Sequence, residues 1–188
     1  MISARFVIIL LFVAVETAQA ADQPFGVLDI ELGASYGRLE RELDFRDINT
    51  ALAQIKSGKP DLGKRGYGCM KRNDPLADVG CVSHEEKLDG VETREIRLHF
   101  LAGRLQQFSL TAEVRHYETV TSYLSRRYGE PQQVAAAGPD PAPSLKWQSE
   151  SGQVAAFRGK DLVFVSFELV SYAGAVKRKR EGTTLECS

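Results

Sequence analysis

The run from Arg94 to Glu113, R-E-I-R-L-H-F-L-A-G-R-L-Q-Q-F-S-L-T-A-E, constrains the fold more than any other stretch of the chain. Ile96, Leu98 and Phe100 alternate with Arg97, His99 and Leu101. Beyond Ala102-Gly103-Arg104, Phe108, Leu110 and Ala112 alternate with Gln107, Ser109 and Thr111. Successive side chains of a strand leave opposite faces, so a period of two with one apolar set predicts a half-buried antiparallel hairpin. Its apolar face should rest on helices. Its polar face, formed by Arg97, His99, Gln107 and Ser109 with Arg104 at the turn, should meet water or a partner.

The flanking segments extend this into a domain. Phe25 to Leu32 reads as one strand, with Leu28, Ile30 and Leu32 on one side. Ser35 then caps a helix in which Tyr36, Leu39 and Leu43 share a face. Ile48, Leu52 and Ile55 suggest a second short helix. Tyr67–Met70 and Val79–His84 read as strands around the turn signal Asn73-Asp74-Pro75. A helix from about Arg115 to Tyr128 carries Tyr117, Val120, Thr121, Leu124 and Tyr128 as one stripe. Gly129 and Pro131 should end it. After the proline-rich loop Ala135–Pro143, Leu145–Ser149, Gln153–Phe157 and Leu162–Leu169 read as strands. Val163, Val165, Phe167 and Leu169 share a face, against which Trp147 and Phe157 should pack. The order helix, loop, antiparallel strands thus occurs twice, over about 25–113 and 114–170. The expected fold is α+β: a two-layer sandwich with helices on one face of an antiparallel sheet.

The ends indicate export. Arg5 precedes the apolar run Phe6 to Val15, and Ala18-Gln19-Ala20 fits a small-x-small cleavage site. Residues 1–20 read as a signal peptide, because the run falls short of the roughly 20 residues a spanning helix needs. The expected domain covers 21–170, in a periplasmic or secreted protein. Residues 171–188 lack a period, carry Lys177-Arg178-Lys179-Arg180, and read as a flexible basic tail suited to weak contact with an anionic membrane surface. With 24 basic against 25 acidic residues the chain has no overall field to hold nucleic acid.

Of the three cysteines, Cys69 and Cys81 flank the turn signal and form the natural disulfide in an oxidising compartment. Their spacing fits no zinc pattern, and no metal or cofactor is expected. Cys187 is left as a free thiol, an intermolecular bridge, or a substitute for either partner.

Val27 to Ser35, V-L-D-I-E-L-G-A-S, resembles the strand-Leu-Gly-x-Ser entry to the first helix of small exported proteins. Tyr128-Gly129-Glu130-Pro131, followed by the strand of Trp147, resembles a later part of the same kind of domain. These proteins include the beta-lactamase inhibitor proteins and the outer-membrane assembly lipoproteins of the SmpA/OmlA type. The resemblance implies a helix-then-strands unit, often duplicated, and a non-enzymatic, protein-binding sheet. Ala21 stands where the lipoprotein has its lipidated cysteine, and Ala34 where a methionine is usual.

No H-E-x-x-H, G-x-S-x-G, G-x-G-x-x-G or phosphate-loop motif occurs. Ser83-His84-Glu85-Glu86 is the cluster nearest to hydrolase chemistry, but neighbours in a strand point to opposite faces and cannot easily share a proton. The preferred expectation is a non-catalytic envelope accessory protein that holds another envelope protein on its open sheet face. A small-ligand carrier with a cavity between helices and sheet, or a small periplasmic hydrolase, are the alternatives.

Overall fold

The computed structural model describes residues 25–49, 66–84, 86–135 and 144–186. The expected signal segment, Leu52 and Ile55, Glu85, most of the proline-rich loop and Cys187 lie outside these residues. The fold is α+β, with three helices among the described residues: α1 (Tyr36–Leu43), α2 (Tyr117–Tyr128) and α3 (Tyr172–Glu186).

The first strands are β1 (Gly26–Val27), β2 (Ile30–Glu31), β3 (Phe45–Asp47), β4 (Tyr67–Asp74), β5 (Ala77–Ser83) and β6 (Lys87–Leu88). The central hairpin is β7 (Val91–Leu101) and β8 (Arg104–Glu113). The last four are β9 (Gln132–Val134), β10 (Ser144–Gln148), β11 (Gly152–Arg158) and β12 (Leu162–Leu169). One large sheet runs β3-β4-β5-β7-β8-β12-β11-β10-β9, with β6 paired to β7. The sheet is mixed rather than wholly antiparallel, because β3 runs parallel to β4, Phe45 opposite Tyr67. A parallel pair needs a connection of about a dozen or more residues, and in sequence residues 48–66 separate the two strands. Phe25 to Leu32 is not one strand either. It folds back at Leu28 and Asp29, both at positive φ, to pair β1 with β2. Gly26 permits this, since a Cβ there would sit 2.5 Å from the Ile30 carbonyl oxygen.

The alternation read from the hairpin sorts its side chains as expected. Ile96, Leu98, Phe100, Phe108, Leu110 and Ala112 are all buried. They join one apolar cluster with Leu39 and Leu43 of α1 and Val120 and Leu124 of α2. Ser35 caps α1 by accepting from Arg38 N at 3.3 Å. α2 stops at Gly129, which sits at φ +85. Its end is tied down twice: Trp147 Nε1 donates to the Gly129 carbonyl at 2.9 Å, and the Tyr128 hydroxyl donates to the Gly26 carbonyl at 2.6 Å.

Residues 172–186 depart most from expectation. They form α3 instead of a structureless tail, and Tyr172 and Val176 pack on Leu101 in a small cluster apart from the main core. Phe157 also departs: it is 41% exposed and stacks on Phe164, on the face opposite to Val163, Val165 and Phe167.

Cys69 and Cys81 form a disulfide between directly paired positions of β4 and β5, with both residues buried. Opening so short a loop frees the unfolded chain by about 3 kcal/mol. Cys69→Ala combined with Cys81→Ala should lower the urea unfolding free energy by about that amount. A loss under about 1 kcal/mol would contradict the assignment.

Candidate functional site

The side of the sheet away from the main core carries the candidate site. Strand register lines its residues up in rows. One row runs Val82, Arg97, Ser109, Ser166, Ala155 and Lys146 across β5, β7, β8, β12, β11 and β10. Beside it, Gly80, His99, Gln107, Glu168 and Gln153 form a second. On the other flank Thr111 is opposite Phe164, and Phe164 is opposite Phe157. Directly opposed side chains on one face interact by about 0.2–1 kcal/mol per pair.

Four of the five residues expected to bind therefore meet: Arg97 pairs with Ser109 and His99 with Gln107. Arg97 is held in a two-point contact by Glu95, at 2.6 and 3.1 Å. Arg104 stands apart. It lies past a β-bulge between His99 and Phe100, and its guanidinium donates to the Gly33 carbonyl at 3.1 Å. A bulge re-aims the residues around it, and here it turns Arg104 toward the entry of α1.

His99 is the least solvated of the set. Its imidazole lies beside its cross-strand neighbour Gln107, while its Nδ1 is buried without a hydrogen-bond partner among the described residues. Burial pushes its pKa below the ordinary value, and Arg72 and Arg97 push the same way against Asp74 and Gln107. The aliphatic part of Arg72 lies over Gly80, where a Cβ would come within 2.7 Å of Arg72 Cδ. Ile48, Met70, Arg72, Val82, Arg97 and His99 surround a shallow groove of about 160 Å³ there. Burial raises the Glu168 carboxyl, an effect that Lys146 opposes.

Several site residues escape a reading by residue type: Met70, Val82, Lys146, Phe157, Phe164 and Glu168. The signal for Phe164 is its position. It shares parity with Ser166 and Glu168, opposite to Val163, Val165 and Phe167. Phe157 likewise falls out of phase with the buried Val154 and Ala156.

The face is not free of helices over its whole extent. Leu101 leaves β7 on the same side as Arg97 and His99, and α3 covers it. The space between the other helices and the sheet is filled by Leu39, Leu43, Val120 and Leu124, each at most 1% exposed.

Ser83 and His84 point apart. Ser83 is fully buried and donates to the His84 carbonyl at 3.4 Å, whereas the His84 ring contacts the Arg94 carbonyl at 2.8 Å. His84 faces a cleft of about 630 Å³ at the end of the sheet, with Arg94, Glu113, Arg115 and His116. There Glu113 pairs with both Arg94 and Arg115 at 2.8 Å, and these hold its carboxyl below the usual range. Among the described residues no group of three His, Cys, Asp or Glu is placed to hold a metal, and no helix is long and apolar enough to cross a membrane.

No family model matches the chain, and no curated protein matches it. Among solved structures it is similar to a GTP binding regulator from Thermotoga maritima, with 14% identity and a TM-score of 0.34, over 71% of this chain and 84% of that one. A likeness of that size carries no argument about function.

The His99 environment sets a pH dependence. A histidine with a depressed folded pKa contributes stability above its unfolded value, about 6.5, and loses it as pH falls below that value. Glu168, raised by burial, acts with the opposite sign. A single substitution therefore isolates the histidine. The fall in urea midpoint from pH 7 to pH 5.5 should be smaller in His99→Gln than in the parent chain. Identical slopes would show that His99 is as readily protonated folded as unfolded.

Proposed function

We propose that this is an exported, non-catalytic accessory protein of the bacterial envelope that holds another envelope protein on the outer face of its sheet. The observation that carries the reading is the alignment of Arg97–Ser109 and His99–Gln107 across the central hairpin, flanked by the stack of exposed Phe157 on half-buried Phe164. Arginine and aromatic side chains supply most of the energy at protein interfaces. Small residues beside them, Gly80, Ser109, Ser166 and Ala155, leave the backbone surface approachable. The Cys69–Cys81 disulfide supports an oxidising compartment.

The architecture we infer is a two-layer sandwich of two helix-led units. Strand order supports it: β4-β5-β7-β8 follows α1, β9-β10-β11-β12 follows α2, and the units meet through their last strands, β8 and β12. A non-catalytic binding sheet is also what the likeness to the beta-lactamase inhibitor proteins implies.

The test is capture from a periplasmic extract on immobilised protein. Arg97→Glu combined with Phe157→Asp should reduce recovery of the partner at least tenfold. Thr119→Arg, on the exposed side of α2, should leave recovery unchanged. Equal recovery with all three chains would exclude this face as the binding surface.

A further inference from the structure

The contact between α3 and the sheet follows a pattern that reads as recognition. Along α3 the protected positions are Tyr172, Ala175, Val176 and Lys179, the spacing of one helix face. The Tyr172 hydroxyl donates to the Leu76 carbonyl at 2.9 Å. Val176 packs on Leu101. Lys179 Nζ donates to the Ala77 carbonyl at 3.0 Å and to Asp78 Oδ1 at 2.7 Å. The other oxygen of Asp78 accepts from Ala102 N at 2.7 Å, so a bond within the sheet already positions this carboxylate. The seat is built from two adjacent turns, β4–β5 and β7–β8, and does not belong to the main core.

We infer that this corner, formed by Leu76, Ala77, Asp78 and Leu101, is a helix-docking site that the chain's own α3 fills in the resting state. Its ligand is a helix bearing an aromatic residue, an aliphatic one four positions on, and a lysine or arginine three further. That is recognition of a helix through residues i, i+4 and i+7. Leu101 is two residues from His99 on the same side of β7, so the seat continues the face assigned above to a partner. The inference rests on that reading: a partner helix entering along the face displaces α3. Val170 and Ser171 alone link α3 to β12, which keeps the self-ligand at an effective concentration of millimolar order. Few buried contacts hold α3, as expected of an element that opens locally.

The probe is a labelled peptide with the sequence of residues 172–186, titrated at low salt against full-length chains. Wild type should bind weakly, because its own helix holds the seat. Tyr172→Ser with Val176→Ser should loosen that helix and tighten peptide binding at least tenfold. Adding Asp78→Lys should remove at least tenfold, and a peptide carrying K179E should recover the loss. Hydrogen exchange on wild type should show α3 amides opening far more readily than those of β8 and β12. Equal affinity for the wild-type and loosened chains would overturn the proposal. So would indifference to Asp78→Lys, loss of the near-ultraviolet Trp147 signal in the loosened chain, or α3 exchange as slow as that of the central strands. The assay contains no envelope partner, so its failure and failure of the capture experiment are separate results.

Discussion

The pairing of β8 with β12 is the contact on which the rest of the structure depends. It runs from Glu113 opposite Leu162 to Gln107 opposite Glu168 and joins the sheet's two halves. Near one end of it Phe108 stacks on Phe167, ring centroids 4.2 Å apart and planes within 8°. Each half alone would leave a long unpaired edge and an apolar face too large for a single helix. Joined, they bury Leu110, Ala112, Val163 and Val165 together. The same pairing aligns the opposite side of the sheet, where Ser109 meets Ser166 and Gln107 meets Glu168. Core and candidate site are therefore two faces of one hydrogen-bonded seam.

The outer face differs from an ordinary solvated face in how its polar groups are held. His99 is desolvated beside Arg72 and Arg97, and its Nδ1 has no partner among the described residues. Its ring borders the groove lined by Met70, Arg72 and Arg97. At the corner, the chain's own α3 is held on this face by a tyrosine, a valine and a lysine.

Much of the fold is legible in the sequence because strand alternation and helix stops are local. The burial of Ile96 to Ala112 follows from a period of two, and the end of α2 from Gly129 and Pro131. Cys69 and Cys81 pair because a turn signal lies between them. The parallel β3–β4 pair was not legible, since direction is set by a crossover and not by either strand. The β1–β2 turn is hidden because Leu28, an apolar residue that rarely adopts positive φ, takes it together with Asp29. Phe157 is apolar but out of phase with Val154 and Ala156, and phase decides its face. α3 is illegible for a different reason: a helix that buries so few side chains has almost no apolar period. At the site, the cross-strand pairs followed from the hairpin alone. Arg104 did not, because a bulge breaks the alternation between it and its neighbours.

The central claim is that the sheet has one sealed face and one face left partly open, with α3 seated on the latter. Hydroxyl-radical footprinting of the native protein tests it most directly, because the same residue types occur on both sides. Met70 and Phe157 should be modified readily, while Phe108, Phe167, Leu101 and Tyr172 stay protected. Comparable modification of Phe157 and Phe108, or strong modification of Leu101 and Tyr172, would contradict the account.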